Sequence, residues 1–469
     1  MSPPSPSNSS KRKATGRSIS PPPVKRKTQS TISQGAVASF FTPTSQKPKD
    51  RTAWSERAPD DDSPPTLLVA RFEPEKLEET DEDRRKRSKI AAFDLDSTLI
   101  VTSSGKKFGN EAGDWKWWDT SVPIRLRKLY EEEGYRVVVL SNQAGLSLHP
   151  DPQNAKGPKN GGKAKVSNFK EKCSAVLAQL NLPTSIYAAT ARDNYRKPRT
   201  GMWKELCADY DIPENEVDLE NSIFVGDAGG RTARVVVKDG GKAAKDFSCS
   251  DRNFAYNVGI AYHTPEEFFL GEPPREFMRD FDLQKYPYPE EDEVSKEGEE
   301  KILFEKTNKQ DIVLFCGPPG AGKSTFYWKH LKPLGYERVN QDILKSRPKC
   351  FKAAAAFLED GSSIVIDNTN PDADGRREWI DFARKHDVPI RCVWFKIPKA
   401  LCEHNDVVRA LNKSLNPEAR TVLPPLAFNG FFARLREPTV KEGFQHVLPI
   451  EFKFRGTKDE YAIWAQYWT

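Results

Sequence analysis

The sequence predicts an α/β protein of two doubly wound domains behind a disordered N-terminal tail. Three observations predict it. First, short apolar runs at 90–93, 137–140, 223–225, 312–316 and 362–366 each end in a chemistry-bearing residue and alternate with helical stretches. Open α/β sheets place their ligands at such strand ends. Second, the motifs fall into two groups, separated by an acidic, proline-containing stretch at 286–300. Third, residues 1–65 hold 13 Ser and 11 Pro with few large apolar residues. Such a segment buries too little surface to offset its chain entropy. A length of 469 residues suits this organisation. The expected division is a tail at 1–65, a first domain at 66–280, a linker at 281–300 and a second domain at 301–469.

Bulk properties exclude several classes. No apolar run reaches the roughly 18 residues of a membrane span. The N-terminus lacks the apolar core of a secretory signal. The seven cysteines include no CxxC pair, so zinc sites and a disulfide framework are not expected and a reducing compartment is. The net charge of +6 is mild, but it is unevenly placed. Lys11-Arg12-Lys13 and Lys25-Arg26-Lys27 resemble a bipartite nuclear import signal, which places the protein in the nucleus; the plainer reading is a basic tail that adheres to nucleic acid. Gln34, Val37, Phe40 and Phe41 resemble the sliding-clamp binding motif, in which one helical turn presents an apolar plug. Val37 stands where a larger aliphatic is usual.

In the first domain, Asp94 and Asp96 follow the strand at 90–93. Two carboxylates so placed can divide labour. Asp94 can attack phosphorus, and Asp96 can protonate the leaving oxygen and later activate water. Ser141 follows the next strand and can bind phosphate. Lys197 can neutralise phosphoryl oxygens. Asp227, after the strand at 223–225, would complete a Mg²⁺ site with Asp94 and the backbone carbonyl of Asp96, hard oxygen ligands that suit this ion. Each motif singly has a bland alternative, as turn, surface lysine or helix cap. Their joint order argues against all of those.

In the second domain, Gly317, Gly320, Gly322, Lys323 and Ser324 form a GxxxxGKS loop between a strand and a helix. Backbone amides there cradle phosphates, Lys323 reaches the β- and γ-phosphates, and Ser324 ligates Mg²⁺. Thr325 extends the nucleotide-binding set, and ATP is the expected co-substrate. Asp342 stands where an acceptor hydroxyl could lose its proton. Asp367 ends a Walker-B-like strand, and Arg409 lies on a polar helix suited to a lid. Asp342 and Arg409 read equally well as surface residues.

The first group resembles the haloacid-dehalogenase phosphatase superfamily. More closely, residues 90–275 resemble the phosphatase domain of the polynucleotide kinase 3′-phosphatase family, in the words FDLDSTLI, SNQAG, YRKPRTGMW, FVGDAGGR, DFSCSDRNFA and TPEEFFL. The second domain resembles the 5′-hydroxyl kinase domain of the same family. The resemblance implies that one site strips 3′-phosphate from DNA breaks and the other phosphorylates 5′-hydroxyl ends with ATP, restoring ligatable termini. It makes Asp342 the general base and Arg409 a lid arginine. It leaves Asp251 either structural or catalytic. Two departures stand out: Ser97 replaces a common glycine, and Gln341 replaces an arginine that commonly precedes the aspartate. A forkhead-associated domain is not expected, and a monomer is. Basic stretches at 156–165 and 238–245 fit DNA-backbone contact or ordinary solvated loops. RNA end processing, a small-molecule phosphatase fused to a metabolite kinase, and a catalytically silent break-binding adaptor are the competing readings.

Overall fold

The computed structural model describes residues 50–469, except 77–79, 81, 82, 85, 108, 110, 150–160, 236–241, 290–303 and 417. The import-type clusters and the clamp-type residues Gln34, Val37, Phe40 and Phe41 therefore lie outside the described residues. So do most of the acidic linker and part of each basic stretch. No helix among the described residues is long and apolar enough to cross a membrane.

The first half is built on a seven-stranded sheet. Its strands are β1 (Thr52–Arg57), β2 (Leu67–Phe72), β3 (Ile90–Phe93), β6 (Arg136–Asn142), β7 (Thr184–Ala189), β8 (Ile223–Val225) and β11 (Ala261–His263). Small hairpins supply β4 (Ile100–Val101), β5 (Lys116–Trp117), β9 (Arg234–Val235) and β10 (Lys242–Ala243). The order is β1-β2-β7-β6-β3-β8-β11, parallel from β7 to β11, with β1 and β2 antiparallel at one edge. The helices are α1 (Ser121–Glu131), α2 (Gly161–Leu180), α3 (Gly201–Asp209), α4 (Ser250–Val258) and α5 (Pro265–Leu270).

Strand β3 and the middle of β6 are apolar because both faces are covered. Ala91, Phe93, Val137 and Val139 point into one core with α1 and α2, whereas Ile90, Ala92, Val138 and Leu140 point into another with α3 and α4. Each fully buried aliphatic contributes roughly 1.5–3 kcal/mol.

The second half carries a five-stranded parallel sheet of β12 (Ile312–Cys316), β13 (Tyr336–Val339), β14 (Ser363–Ile366), β15 (Ile390–Phe395) and β16 (Val447–Ile450), ordered β13-β14-β12-β15-β16. Its helices are α6 (Lys323–Phe326), α7 (Gln341–Leu344), α8 (Arg347–Glu359), α9 (Ala373–Lys385), α10 (Lys399–Leu411), α11 (Pro425–Arg434) and α12 (Lys458–Trp464). Val313 and Phe315 face one core, and Ile312, Leu314 and Cys316 the other. All seven cysteines are free thiols, and six are buried.

Three boundaries differ from the sequence reading. Residues 52–57 are not tail but edge strand β1, paired with β2 from Thr52↔Phe72 to Arg57↔Leu67. A composition averaged over 65 residues hid this short strand, in which Trp54 packs on the core and Arg57 pairs with Glu205 and Asp209 of α3. Residues 281–288 are not linker, because Phe281 and Leu283 are buried in the second half's core and Tyr286 packs against it. Residues 161–165 of the first basic stretch are not a loop but the start of α2.

Candidate active sites

In the first sheet, β6, β3 and β8 are neighbours, and Phe93 pairs with both Val139 and Val225. Asp94, Ser141 and Asp227 therefore emerge at one end of the sheet. Asp94 is anchored by its own N–H, which donates to the Val225 carbonyl at 2.9 Å. Lys197 enters from the loop after β7. Its Nζ lies 2.7 Å from Asp94 Oδ1 and 2.8 Å from Asp251 Oδ1, with 1% of its side chain exposed. Asn142 fixes the backbone of that lysine: its Oδ1 accepts the Lys197 N–H at 2.9 Å, and its Nδ2 donates to the Lys197 carbonyl at 3.0 Å.

The electrostatics follow from crowding. Carboxylate oxygens of Asp94, Asp227 and Asp251 lie within 4.8 Å of one another. Burial, partly opposed by Lys197 and reinforced by Asp251, pushes Asp94 up to about 6. Burial together with the charges of Asp94 and Asp251 pushes Asp227 up to about 8. Burial works against the Lys197 ammonium, but Asp251 and Asp94 outweigh it and hold its pKa above the ordinary lysine value.

Asp96 stands at the exposed rim. Gln143 Nε2 donates to Asp96 Oδ2 at 2.7 Å and to Ser141 Oγ at 3.0 Å. The structure thus gathers Asp94, Asp96, Ser141, Lys197 and Asp227, and it adds Asp251 to the buried cluster. Ser97 adopts φ +61°, the left-handed conformation that glycine favours.

The second site is built around the loop between β12 and α6. Gly320 has φ +73°, and a Cβ there would come within 2.3 Å of the Cys402 carbonyl on α10. Lys323 Nζ donates to the Gly317 and Pro318 carbonyls at 3.0 and 2.6 Å, and burial holds its pKa below the ordinary value. Ser324 Oγ donates to Asp367 Oδ2 at 3.1 Å. Arg338, which the sequence reading passed over, joins the two. It lies 2.5 Å from Asp367 Oδ2, 2.7 Å from Ser324 Oγ and 3.0 Å from Glu418 Oε1.

Asn340 caps α7 by accepting from the Asp342 and Ile343 N–H groups, and donates to the Asp367 carbonyl at 2.8 Å. It thereby ties Asp342 to the end of β14. Asp342 itself is exposed, 3.4 Å from Arg420. Arg409 is paired with Asp406 on its own helix. It also lines a cleft of about 250 Å³ with Gly320, Gly322, Thr325, Phe452 and Phe454. Gly317, Lys323, Ser324 and Asp367 therefore converge, Thr325 and Arg409 border the adjoining cleft, and Asp342 stands at the outer edge.

Residues 89–269 match the polynucleotide kinase 3 phosphatase family, and residues 312–438 match an AAA domain. A bifunctional polynucleotide phosphatase/kinase of Schizosaccharomyces pombe is 37% identical over 386 residues, covering 81% of this chain and 84% of the relative. The chain belongs to the bifunctional polynucleotide phosphatase/kinase family. The polynucleotide 3′-phosphatase ZDP of Arabidopsis thaliana is 29% identical over 41% of this chain and 25% of its own length. A fungal RNA kinase structure aligns with 34% of this chain and 81% of its own, at 20% identity and a TM-score of 0.24.

The first site is thus the phosphatase site and the second the kinase site. The contributors that sequence reasoning missed or left open are Asp251, Asn142 and Arg338. Asp251 had a local signal, an acid in the first turn of a short helix. Arg338 had none, because its role depends on β13 and β14 lying side by side.

Proposed function

We propose that this chain heals DNA strand breaks, hydrolysing 3′-phosphate termini at Asp94 and phosphorylating 5′-hydroxyl termini at the P-loop. The observation that carries the reading is the clamp of Lys197 between Asp94 and Asp251, on one chain with a Walker-type loop whose Ser324 meets Asp367. Asp94 attacks phosphorus, forming an aspartyl-phosphate as the leaving oxygen departs. Asp96, exposed at the rim, protonates that oxygen and then takes a proton from the hydrolytic water. Lys197 and Ser141 hold the phosphoryl oxygens.

The buried acids fit a hard divalent cation, since three carboxylates within 4.8 Å share one buried lysine and two resist ionisation. Asp94, Asp227 and Asp251, with the Asp96 backbone carbonyl, would hold Mg²⁺, and Ser324 with Asp367 would hold it at the kinase site. When bound, the ion offsets charge on the phosphoryl oxygens.

At the kinase site, Lys323 and the loop amides bind the β- and γ-phosphates, the cleft beside Phe452 and Phe454 receives the base of ATP, and Asp342 takes the proton of the acceptor hydroxyl. Arg409 and Arg420 supply positive charge near the transferring group. The basic tail supports nuclear import, and Gln34, Val37, Phe40 and Phe41 support docking on the sliding clamp. Deleting residues 34–41 should weaken clamp pull-down and leave both activities intact.

The deciding experiment offers 3′-phosphate and 5′-hydroxyl oligonucleotides of DNA and of RNA, with and without ATP. DNA-directed activity at both ends supports the reading. Preference for RNA ends would move it to RNA processing, and inactivity on every oligonucleotide would sink it.

A further inference from the structure

Asn257 sits near the end of α4, six residues beyond Asp251. Its Nδ2 donates to the Pro198 carbonyl at 2.8 Å and to the Tyr467 carbonyl at 2.7 Å, and its Oδ1 accepts the Tyr467 N–H at 2.8 Å. Two acceptors on one side and a donor on the other leave a single orientation of the amide that satisfies all three.

Pro198 directly follows Lys197. The helix therefore grips the lysine loop at two points about 9 Å apart along its axis: Asp251 on the ammonium, Asn257 on the next carbonyl. Tyr467 is anchored in turn. Its ring meets Tyr256 at 5.1 Å and Arg279 at 4.9 Å, and Arg279 Nε donates to Asn253 of the same helix. Three residues earlier, the Trp464 indole donates to Asn405 Oδ1 at 2.7 Å, and Asn405 Nδ2 donates to the carbonyl of P-loop Gly320 at 3.1 Å.

We infer that Asn257 is a positioning residue for 3′-phosphate removal, and that the kinase-half segment around Tyr467 completes the support of the phosphatase lysine. The inference rests on the phosphatase reading of the first site. Lys197 has to meet phosphoryl oxygens within hydrogen-bond distance, and a displacement near 1 Å costs about 100-fold in rate. Asn142 holds the front of the loop and Asn257 the back. Without Asn257 the loop has freedom to withdraw the ammonium while the nucleophile stays in place.

The test uses the full chain and measures kcat and KM for release of phosphate from a 3′-phosphate oligonucleotide. ATP-dependent 5′-phosphorylation by the same preparation is the internal standard. Asn257→Ala and Asn257→Asp should lower phosphatase kcat about 10- to 100-fold, leave KM within about twofold, and leave the kinase unchanged. Asn257→Asp keeps the acceptor for the Tyr467 N–H but loses the donors to the Pro198 and Tyr467 carbonyls, so it separates the two donated bonds from the accepted one.

Tyr467→Pro removes the N–H from the other partner. Combined with Asn257→Ala it should lose less than the product of the two single losses, because both remove the Asn257–Tyr467 contact, while the ring lost from Tyr256 and Arg279 adds its own part. Wild-type kcat in Asn257→Ala, an equal fall in both activities, a loss confined to KM, or multiplying losses in the double variant would each overturn the inference. Asp94→Asn run alongside separates the two levels. Retained phosphatase activity there would refute the site itself, whatever Asn257 does.

Discussion

Asp251 occupies the space where a side chain on Gly226 would lie: its Oδ2 is 2.3 Å from the position a Cβ would take. The glycine before Asp227 is thus required by a neighbour 25 residues away, not by its own backbone angles. Gly226→Ala should push Asp251 off Lys197 and lower 3′-phosphatase kcat about 100-fold. The kinase rate in the same preparation should not change. A variant with both activities intact would show that Asp251 is free to move without consequence.

The crowded acids make stability depend on pH in a defined direction. Asp94 and Asp227 have folded pKa values of about 6 and about 8, above the ordinary carboxylate value near 4. Protonation therefore stabilises the fold, and that stabilisation is complete below about pH 4 and lost as pH rises through the folded values. In a chelator-containing buffer the thermal midpoint should fall between pH 5 and pH 8, and Asp227→Asn should flatten the fall. Added magnesium should raise the midpoint more at pH 8 than at pH 5. A midpoint indifferent to both would contradict the assignment of these groups as an ion site.

Arg338 spans Asp367, Ser324 and Glu418 with one planar guanidinium. Arg338→Ala should reduce ATP-dependent 5′-phosphorylation about 10- to 100-fold, since P-loop Ser324 and Asp367 beyond β14 lose their orientation. Arg338→Lys should not restore it, because an ammonium cannot serve three partners in fork geometry. Steady-state kinetics with varied ATP would check both, with 3′-phosphate release as the unaffected reference.

Ser97 holds φ +61° in the loop after Asp96. Left-handed backbone costs a residue with a Cβ about 1 kcal/mol or more, and a β-branched one more still. Ser97→Gly should raise unfolding free energy by up to about 1 kcal/mol, and Ser97→Val should lower it by about 1–2 kcal/mol. Chemical denaturation of the two variants would decide. An equal effect of both would mean the loop relaxes out of this conformation.

The two α/β halves were legible because their motifs are local. Asp94, Ser141 and Gly317 each directly follow an apolar run, and a strand followed by a polar turn is visible within ten residues. The features that escaped depend on contacts between distant segments. β1 is recognisable only against β2, since four of its own six residues are polar. Phe281 and Leu283 look like linker until the second half's core receives them. Arg338 and Asn257 have unremarkable neighbours in the sequence, and their roles arise from β13 beside β14 and from Tyr467 beside α4. Asp251 was ambiguous for the opposite reason: its segment carried a signal, but only the 2.8 Å approach to Lys197 separates a site acid from a helix cap.

The thiols described with the fold have a consequence for how the enzyme withstands oxidants. Burial pushes Cys207, Cys249 and Cys316 each up to about 11 and Cys402 up to about 12. Peroxide attacks thiolates that are exposed and easily formed, and these are neither readily formed nor, apart from half-buried Cys249, near the surface. Neither catalytic centre depends on a sulfur atom. Both activities should therefore survive peroxide doses that silence enzymes with an activated cysteine, and the protein should need no reductant to keep working.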